Sequence, residues 1–213
     1  MTPVRILVAA IIAGGMVSTV TGDETRLNLK VLATDSDVAA ATNRNVKAIR
    51  TIRDRLSDQS FVTFAKWPNL YGVYLGNTTV TGTGFHLLDE HEYLVQVVLM
   101  GPNVGNEGAL TVADLPHVTH LTIGNGIPPK SPVRNARLTD RGLRAITTMP
   151  HLAWLVVVDA DITDEGVQYL RRLKSIESIV FDYCPRLTPL GIARLQAKLP
   201  KTQIRLEQRP TRP

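Results

Sequence analysis

The 213-residue chain has a single cysteine, Cys184. One thiol can close no disulfide within the chain and cannot build a cysteine-based zinc site, so the fold must rest on an ordinary apolar core. Long apolar runs are equally scarce, and beyond residue 22 nothing approaches the ~20 residues of a membrane-crossing helix. Also missing are a nucleophile elbow, a phosphate-cradling glycine loop, an HExxH pair and zinc-type spacing. Without them the chain reads as non-catalytic, with no cofactor and no metal. The formal net charge of +5 is mildly basic and does not establish nucleic-acid binding, which needs Lys and Arg clustered on one face.

Apolar residues make up 44% of the chain, enough for one sizeable core and inconsistent with disorder or collagen. Residues 1–22 form a separate segment: one charge at Arg5, the run "ILVAAIIAGGMV" at residues 6–17, then small and polar residues ending in Val20-Thr21-Gly22. That layout is the one a secretory signal peptide has, and its removal leaves a net charge of +4 and no stable membrane span. An exported chain, periplasmic or secreted, is therefore expected, with an uncleaved N-terminal anchor as the alternative.

The body of the sequence repeats. Val80-Thr81-Gly82-Thr83-Gly84, Val104-Gly105-Asn106-Glu107-Gly108, Leu138-Thr139-Asp140-Arg141-Gly142, Ile162-Thr163-Asp164-Glu165-Gly166 and Leu187-Thr188-Pro189-Leu190-Gly191 align on their last glycines, which lie 24, 34, 24 and 25 residues apart. A degenerate copy begins at Leu56. Ahead of each stands a triplet of form apolar-x-x-apolar-x-apolar: Leu70, Val73, Leu75; Leu94, Val97, Leu99; Val118, Leu121, Ile123; Leu152, Leu155, Val157; Ile176, Ile179, Phe181. Two independent features share one period. Downstream of each glycine the apolar spacing becomes helical, as in Leu143, Ile146 and Met149, so each unit reads strand, turn, short helix. Thr or Asp ahead of the glycine suits an N-cap. The glycine lets neighbouring backbone approach closely.

The L-x-x-L-x-L pattern followed by turn and helix resembles the leucine-rich repeat, and "IESIVFDYCPRLTPLGI" at residues 176–192 looks like its cysteine-containing subtype, with Cys184 in the characteristic slot. The resemblance extends to short exported leucine-rich-repeat proteins of bacteria. It implies an α/β leucine-rich-repeat solenoid, a short right-handed horseshoe segment with a parallel sheet on its concave face and short helices on its convex face. About six repeats would span residues 46–206, with a cap at residues 23–45 and a flexible tail at 207–213. Residues 46–56 are open to a strand or a helical reading, the strand keeping the 24-residue register. The one long interval is accounted for by the insertion "NGIPPKSPVRNAR", residues 125–137.

The resemblance also implies that residues between and just after the inward leucines line the concave face. The candidate partner-binding residues are Tyr74, Gln96, Met100, His120, Trp154, Val156 and Asp182, a set rich in side chains that carry large contact area. Lateral packing between strands is the competing use for the same residues. His117 and His120, three apart on a strand, would face opposite ways, and His91 stands where later repeats have Leu115, Met149 and Leu173, so neither makes a metal site. Asp140 and Asp164 recur with the repeat and are assigned to the scaffold, as is Cys184. The leading functional expectation is a module that binds a protein or peptide ligand on the concave face. The alternatives are a structural, envelope-organising protein that self-associates or is membrane-tethered, and a binder of acidic polymers through the basic N-terminal stretch and residues 130–137. A ubiquitin-ligase adaptor is disfavoured by the export signal and by the lack of an F-box segment.

Overall fold

The computed structural model describes residues 26–28, 34–41, 45–126 and 137–207. The signal-like segment, most of the tail and residues 127–136 of the insertion lie outside these. Eight strands run in chain order through one parallel sheet. They are β1 (Arg26–Asn28), β2 (Ala48–Ile52), β3 (Gly72–Gly76), β4 (Gln96–Met100), β5 (His120–Gly124), β6 (Trp154–Val158), β7 (Ser178–Asp182) and β8 (Gln203–Glu207). Residues 46–56 thus hold a strand. Glu207, assigned to the tail from sequence, closes β8.

Register fixes which side chains meet. Ile49, Val73, Val97, Leu121, Leu155, Ile179 and Ile204 stand abreast across the sheet. All but Ile204, on the edge strand, are essentially buried. Two residues on, Leu75, Leu99, Ile123, Val157 and Phe181 form a second buried row. Because side chains alternate along a strand, both rows project to one side, where the helices cover them. A single core results, closed near its N-terminal end by Phe61, Phe64, Trp67 and Phe85, whose rings pack at centroid distances of 4.7–5.7 Å.

The helical segments are of two kinds. Asn106–Ala113, Asp140–Ile146 and Pro189–Lys198 are α-helices, whereas Thr83–Leu88 and Gly166–Arg172 are 3-10 helices.

The turns between strand and helix show why the Thr-Asp-x-Gly step repeats. Asp140 does not cap its own helix; it reaches the next repeat, where Thr163 donates its N–H to Oδ1 at 2.8 Å and its hydroxyl to Oδ2 at 2.7 Å. Asp164 receives the same pair from Thr188, at 2.9 and 2.6 Å. Asn106 accepts from the N–H groups of Thr139 and Gly142, both at 2.9 Å. Asp58 holds the Thr81 N–H and hydroxyl and the Gly84 N–H. Asp35 plays the part at the N-terminal end for Ser57 and Ser60. Burial raises the Asp35 pKa, but the hydrogen bonds from Ser57 and Ser60 outweigh it and hold the carboxyl below its usual value. The cap role falls to the threonine, whose Oγ accepts from the helix's own glycine N–H at 3.1 Å in both Thr163 and Thr188.

The glycine is the steric counterpart of this clamp. A Cβ at Gly166 would overlap Asp140 Oδ1, and one at Gly191 would overlap Asp164 Oδ1. At one junction both partners are missing together: Gly82 stands where the acid belongs and Gly105 where the Thr belongs. There the backbones touch directly, because a Cβ at Gly108 would overlap the Thr81 carbonyl. Thr111 substitutes by donating its hydroxyl to the Gly82 carbonyl at 2.8 Å.

Gly166→Ala is expected to cost on the order of 1–3 kcal/mol in urea unfolding. Asp140→Ala loses charge-assisted bonds of about the same worth. The double variant should be less unstable than the two costs added, since removing the carboxylate makes room for the methyl; full additivity would show that the clash is not with Asp140.

Candidate binding face

The sheet face opposite the helices carries three lateral rows. The first runs Ala48, Gly72, Gln96, His120, Trp154, Ser178, Gln203; the second Arg50, Tyr74, Val98, Thr122, Val156, Val180, Arg205; the third Ile52, Gly76, Met100, Gly124, Val158, Asp182, Glu207. All seven candidate residues named from sequence lie on this face. They do not share one environment.

Tyr74, Met100 and Asp182 are buried, at 7%, 6% and 3% exposure. Tyr74, Val98, Met100 and Val158 form a compact apolar cluster with Ala48 and Val156 packed against it. Glycine makes the room: the Tyr74 ring lies over Gly72, where a Cβ would stand only 2.6 Å from the ring. The Arg50 guanidinium sits over the same ring, 5.2 Å from its centroid. Lateral packing therefore accounts for Tyr74 and Met100 and closes the middle of the face. The hollow lined by Arg50, Ile52, Tyr74, Gly76 and Val98 encloses about 10 Å³, room for about one water molecule. A larger open groove of about 420 Å³ lies on the turn side, between Val62 and Leu87.

Gln96, His120, Trp154 and Val156 are half-exposed. The first three occupy consecutive strands of one row. Gln96 is fixed from both ends, its Oε1 accepting from the Tyr74 hydroxyl and its Nε2 donating to the Tyr71 hydroxyl at 2.9 Å. The His120 and Trp154 rings stack 5.4 Å apart at 19°. His120 Nδ1 lies 2.8 Å from Thr119 Oγ1. Tyr71 and Tyr93 flank the row with 44% and 57% of their surface open. Sequence reasoning missed both, because it considered only positions 72, 74 and 76 and their equivalents in the other repeats. Tyr71 immediately follows the first leucine, and its long side chain still reaches the next strand. The signal available was two tyrosines at positions where the repeat elsewhere places Asn69, His117 or Thr119.

The row is thus a strip of aromatic faces and fixed amide and hydroxyl groups along the starting edge of β3–β6. Such a surface offers broad, stiff contact area and hydrogen-bonding groups, and no enclosed chamber of the size small-molecule sites use. Val156 borders the closed cluster. Asp182 lies in the third row, away from the strip, and β7 carries only Ser178 into it. His117, expected on a strand, lies in the turn before β5 and is exposed. His91 is buried at 9% exposure, and its Nε2 has no hydrogen-bond partner among the described residues. No three His, Cys, Asp or Glu residues among the described ones come together around a point that could hold an ion.

The insertion is anchored close to the same sheet. Asn125 donates its N–H to the Val158 carbonyl at 3.0 Å and its amide to Asp159 Oδ2 at 2.9 Å, and the returning Arg137 carbonyl accepts from Asn106 N–H. Both ends therefore emerge after β5, at the edge opposite the aromatic strip. Cys184 is fully buried, its Sγ 3.8 Å from the Val157 carbonyl. Burial pushes its thiol pKa up to about 12, with the charges of Asp159 and Asp182 adding to the effect against a hydrogen bond from Ala160.

These features define a leucine-rich-repeat solenoid. The sequence matches no protein-family model and no curated protein. Among solved structures, the chain is similar to an internalin from Listeria monocytogenes, with 12% identity over 96% of this chain and 69% of that one and a TM-score of 0.44. A Bacteroides fragilis protein aligns at 13% identity over 85% of this chain and 73% of its own, with a TM-score of 0.34. No helix among the described residues is long and apolar enough to cross a membrane.

Two measurements check the electrostatics. Burial lowers the His120 pKa from its usual 6.5, and the nearby Glu177 only partly opposes it. The unfolded chain then takes up a proton more readily than the folded one, so stability falls as pH drops below about 6.5. An NMR titration should place the His120 midpoint below that of an exposed histidine, and Trp154→Ala should raise it; an unchanged midpoint would contradict burial by the indole as the cause. Cys184 should stay unreactive toward a thiol reagent at pH 8 in the folded protein and react fully in denaturant. Rapid labelling of the native state would be incompatible with the packing described.

Proposed function

We propose that the protein is a non-catalytic binding module that takes a protein or peptide along the strip formed by Tyr71, Tyr93, Gln96, His120 and Trp154. One observation carries this reading: beside a cluster closed by lateral packing, Tyr71, Tyr93, His120 and Trp154 stay open or half-open along one edge, and Gln96 among them is already held by the Tyr71 and Tyr74 hydroxyls. A pre-fixed aromatic surface loses little side-chain entropy on binding, which is why Tyr and Trp dominate the energetics of many interfaces. A curved row of side chains from four adjacent strands, without a chamber, suits an extended or convex macromolecular surface better than a small metabolite. The reading is of an exported protein and rests for that on the leader-like run at residues 6–17.

The test is site-specific photo-crosslinking in extract, with the crosslinker placed at position 96 or, as a control, at the exposed convex position Arg194. Adducts specific to position 96, lost in Trp154→Ala with Tyr71→Ala and little altered by salt, are the expected result. Truncating two central aromatics should weaken the complex by at least about tenfold. The same adducts from both positions, or undiminished adducts in the double variant, would refute the strip as the site.

A further inference from the structure

Charge along this chain is segregated. Residues 67–129 contain no Lys or Arg and five acids, whereas residues 166–206 contain eight Lys and Arg and two acids. Placed on the fold, the contrast becomes a pairing of equivalent positions. Asp89, Glu90 and Glu92 precede Gln96 of β4 by seven, six and four residues; Arg171, Arg172 and Lys174 precede Ser178 of β7 by seven, six and four. Gln96 and Ser178 belong to one register row, three strands apart. Each charged triplet sits at the end of a 3-10 helix, Thr83–Leu88 in one case and Gly166–Arg172 in the other. All six residues are exposed, and among the described residues none of them forms an ion pair.

Two patches of like backbone and opposite charge therefore lie on the convex side, separated by two repeats whose corresponding positions carry Ala113, Asp114 and Pro116, then Thr147, Thr148 and Pro150. Exposed Arg194, Lys198 and Lys201 extend the basic patch, and exposed Lys66 bounds the acidic one. At ~10 Å per helix layer the patch centres stand roughly 30 Å apart. We propose that the partner of this convex surface is a second copy of the chain, docked antiparallel about a two-fold axis that passes between the two patches. In a two-fold interface each patch of one copy meets its counterpart on the other, so acidic faces basic twice over. A polyanion would use only the basic half and leave the acidic triplet unexplained. The dimer is built on charged side chains and on none of those that form the aromatic strip, so it goes beyond the binding reading and does not depend on it.

The test is sedimentation equilibrium of the full chain at ~50 mM and ~500 mM salt, conditions that differ about threefold in screening length. The wild type is expected to dimerise at low salt and to weaken at least about tenfold at high salt. An all-basic variant, Asp89→Arg/Glu90→Arg/Glu92→Lys, and an all-acidic variant, Arg171→Glu/Arg172→Glu/Lys174→Glu, should each stay monomeric. Mixed in equal amounts they should form a one-to-one dimer, which also shows that both are folded. A wild type that remains monomeric at low salt, variants that dimerise like the wild type, or a mixture that fails to pair would each overturn the proposal. Capture of polyphosphate by a monomeric wild type would point to the polyanion instead.

Discussion

A carboxylate or amide at the head of a helix, gripped by the N–H and hydroxyl of the following turn, holds this solenoid in step at every described junction except that between Gly82 and Gly105. A parallel sheet alone would tolerate slippage, because its ladder hydrogen bonds are the same at every register. The clamp removes that freedom. Asp140 can satisfy Thr163 only when β5 and β6 are aligned as His120 with Trp154, and the Gly166 backbone can approach only because it has no Cβ. The same bonds supply acceptors for turn N–H groups at a helix start, where the helix has none to offer. One side chain thus serves hydrogen-bond satisfaction, register and spacing at once.

Curvature follows from the two layers so joined. Strands pack ~4.8 Å apart and helices prefer 8–10 Å, so the sheet must lie on the inside of the bend. On that inner face side chains crowd, and crowding explains the division between closed and open parts. Tyr74 folds across Gly72, and Met100 and Val158 close over the third row, where Gly76 and Gly124 stand beside them. Crowding relaxes at the starting edge, where Tyr71 and Tyr93 precede β3 and β4.

The fold was legible in sequence because its determinants are periodic. Leucine triplets and turn glycines each carry the 24-residue step, and either would have placed β3–β7. Asp140 and Asp164 were recognisable as scaffold by recurrence alone, yet their mechanism was not: a reach into the next repeat is a contact between residues 23 or 24 apart, and an N-cap was the local alternative. The candidate face was legible as a row but not as an environment. Nothing in a strand pattern tells that Tyr74 will lie flat over a neighbouring glycine while Trp154, with His120 beside it, stays half-open. That outcome depends on what stands beside each ring: Gly72, two residues back on the same strand, for Tyr74, and His120 on the neighbouring strand for Trp154.

A repeat protein separates two kinds of position, and the separation explains why chemistry is so uneven on so regular a frame. Positions facing the core or the neighbouring turn repeat because every layer must solve the same packing problem; Leu143, Val167 and their equivalents are interchangeable in role. Positions facing out are free to differ, so any order found among them is not imposed by the scaffold. The junction at Gly82 and Gly105 shows the first rule at its limit, since donor and acceptor are lost together and backbone contact replaces both. The opposed triplets at Asp89 and Arg171 belong to the second kind. Three equivalent outward sites carry three acids in one layer and three bases three layers on, an arrangement that neither core packing nor turn geometry requires. Their common framework means that whatever shape accommodates one triplet accommodates the other, leaving charge as the sole discriminator between them.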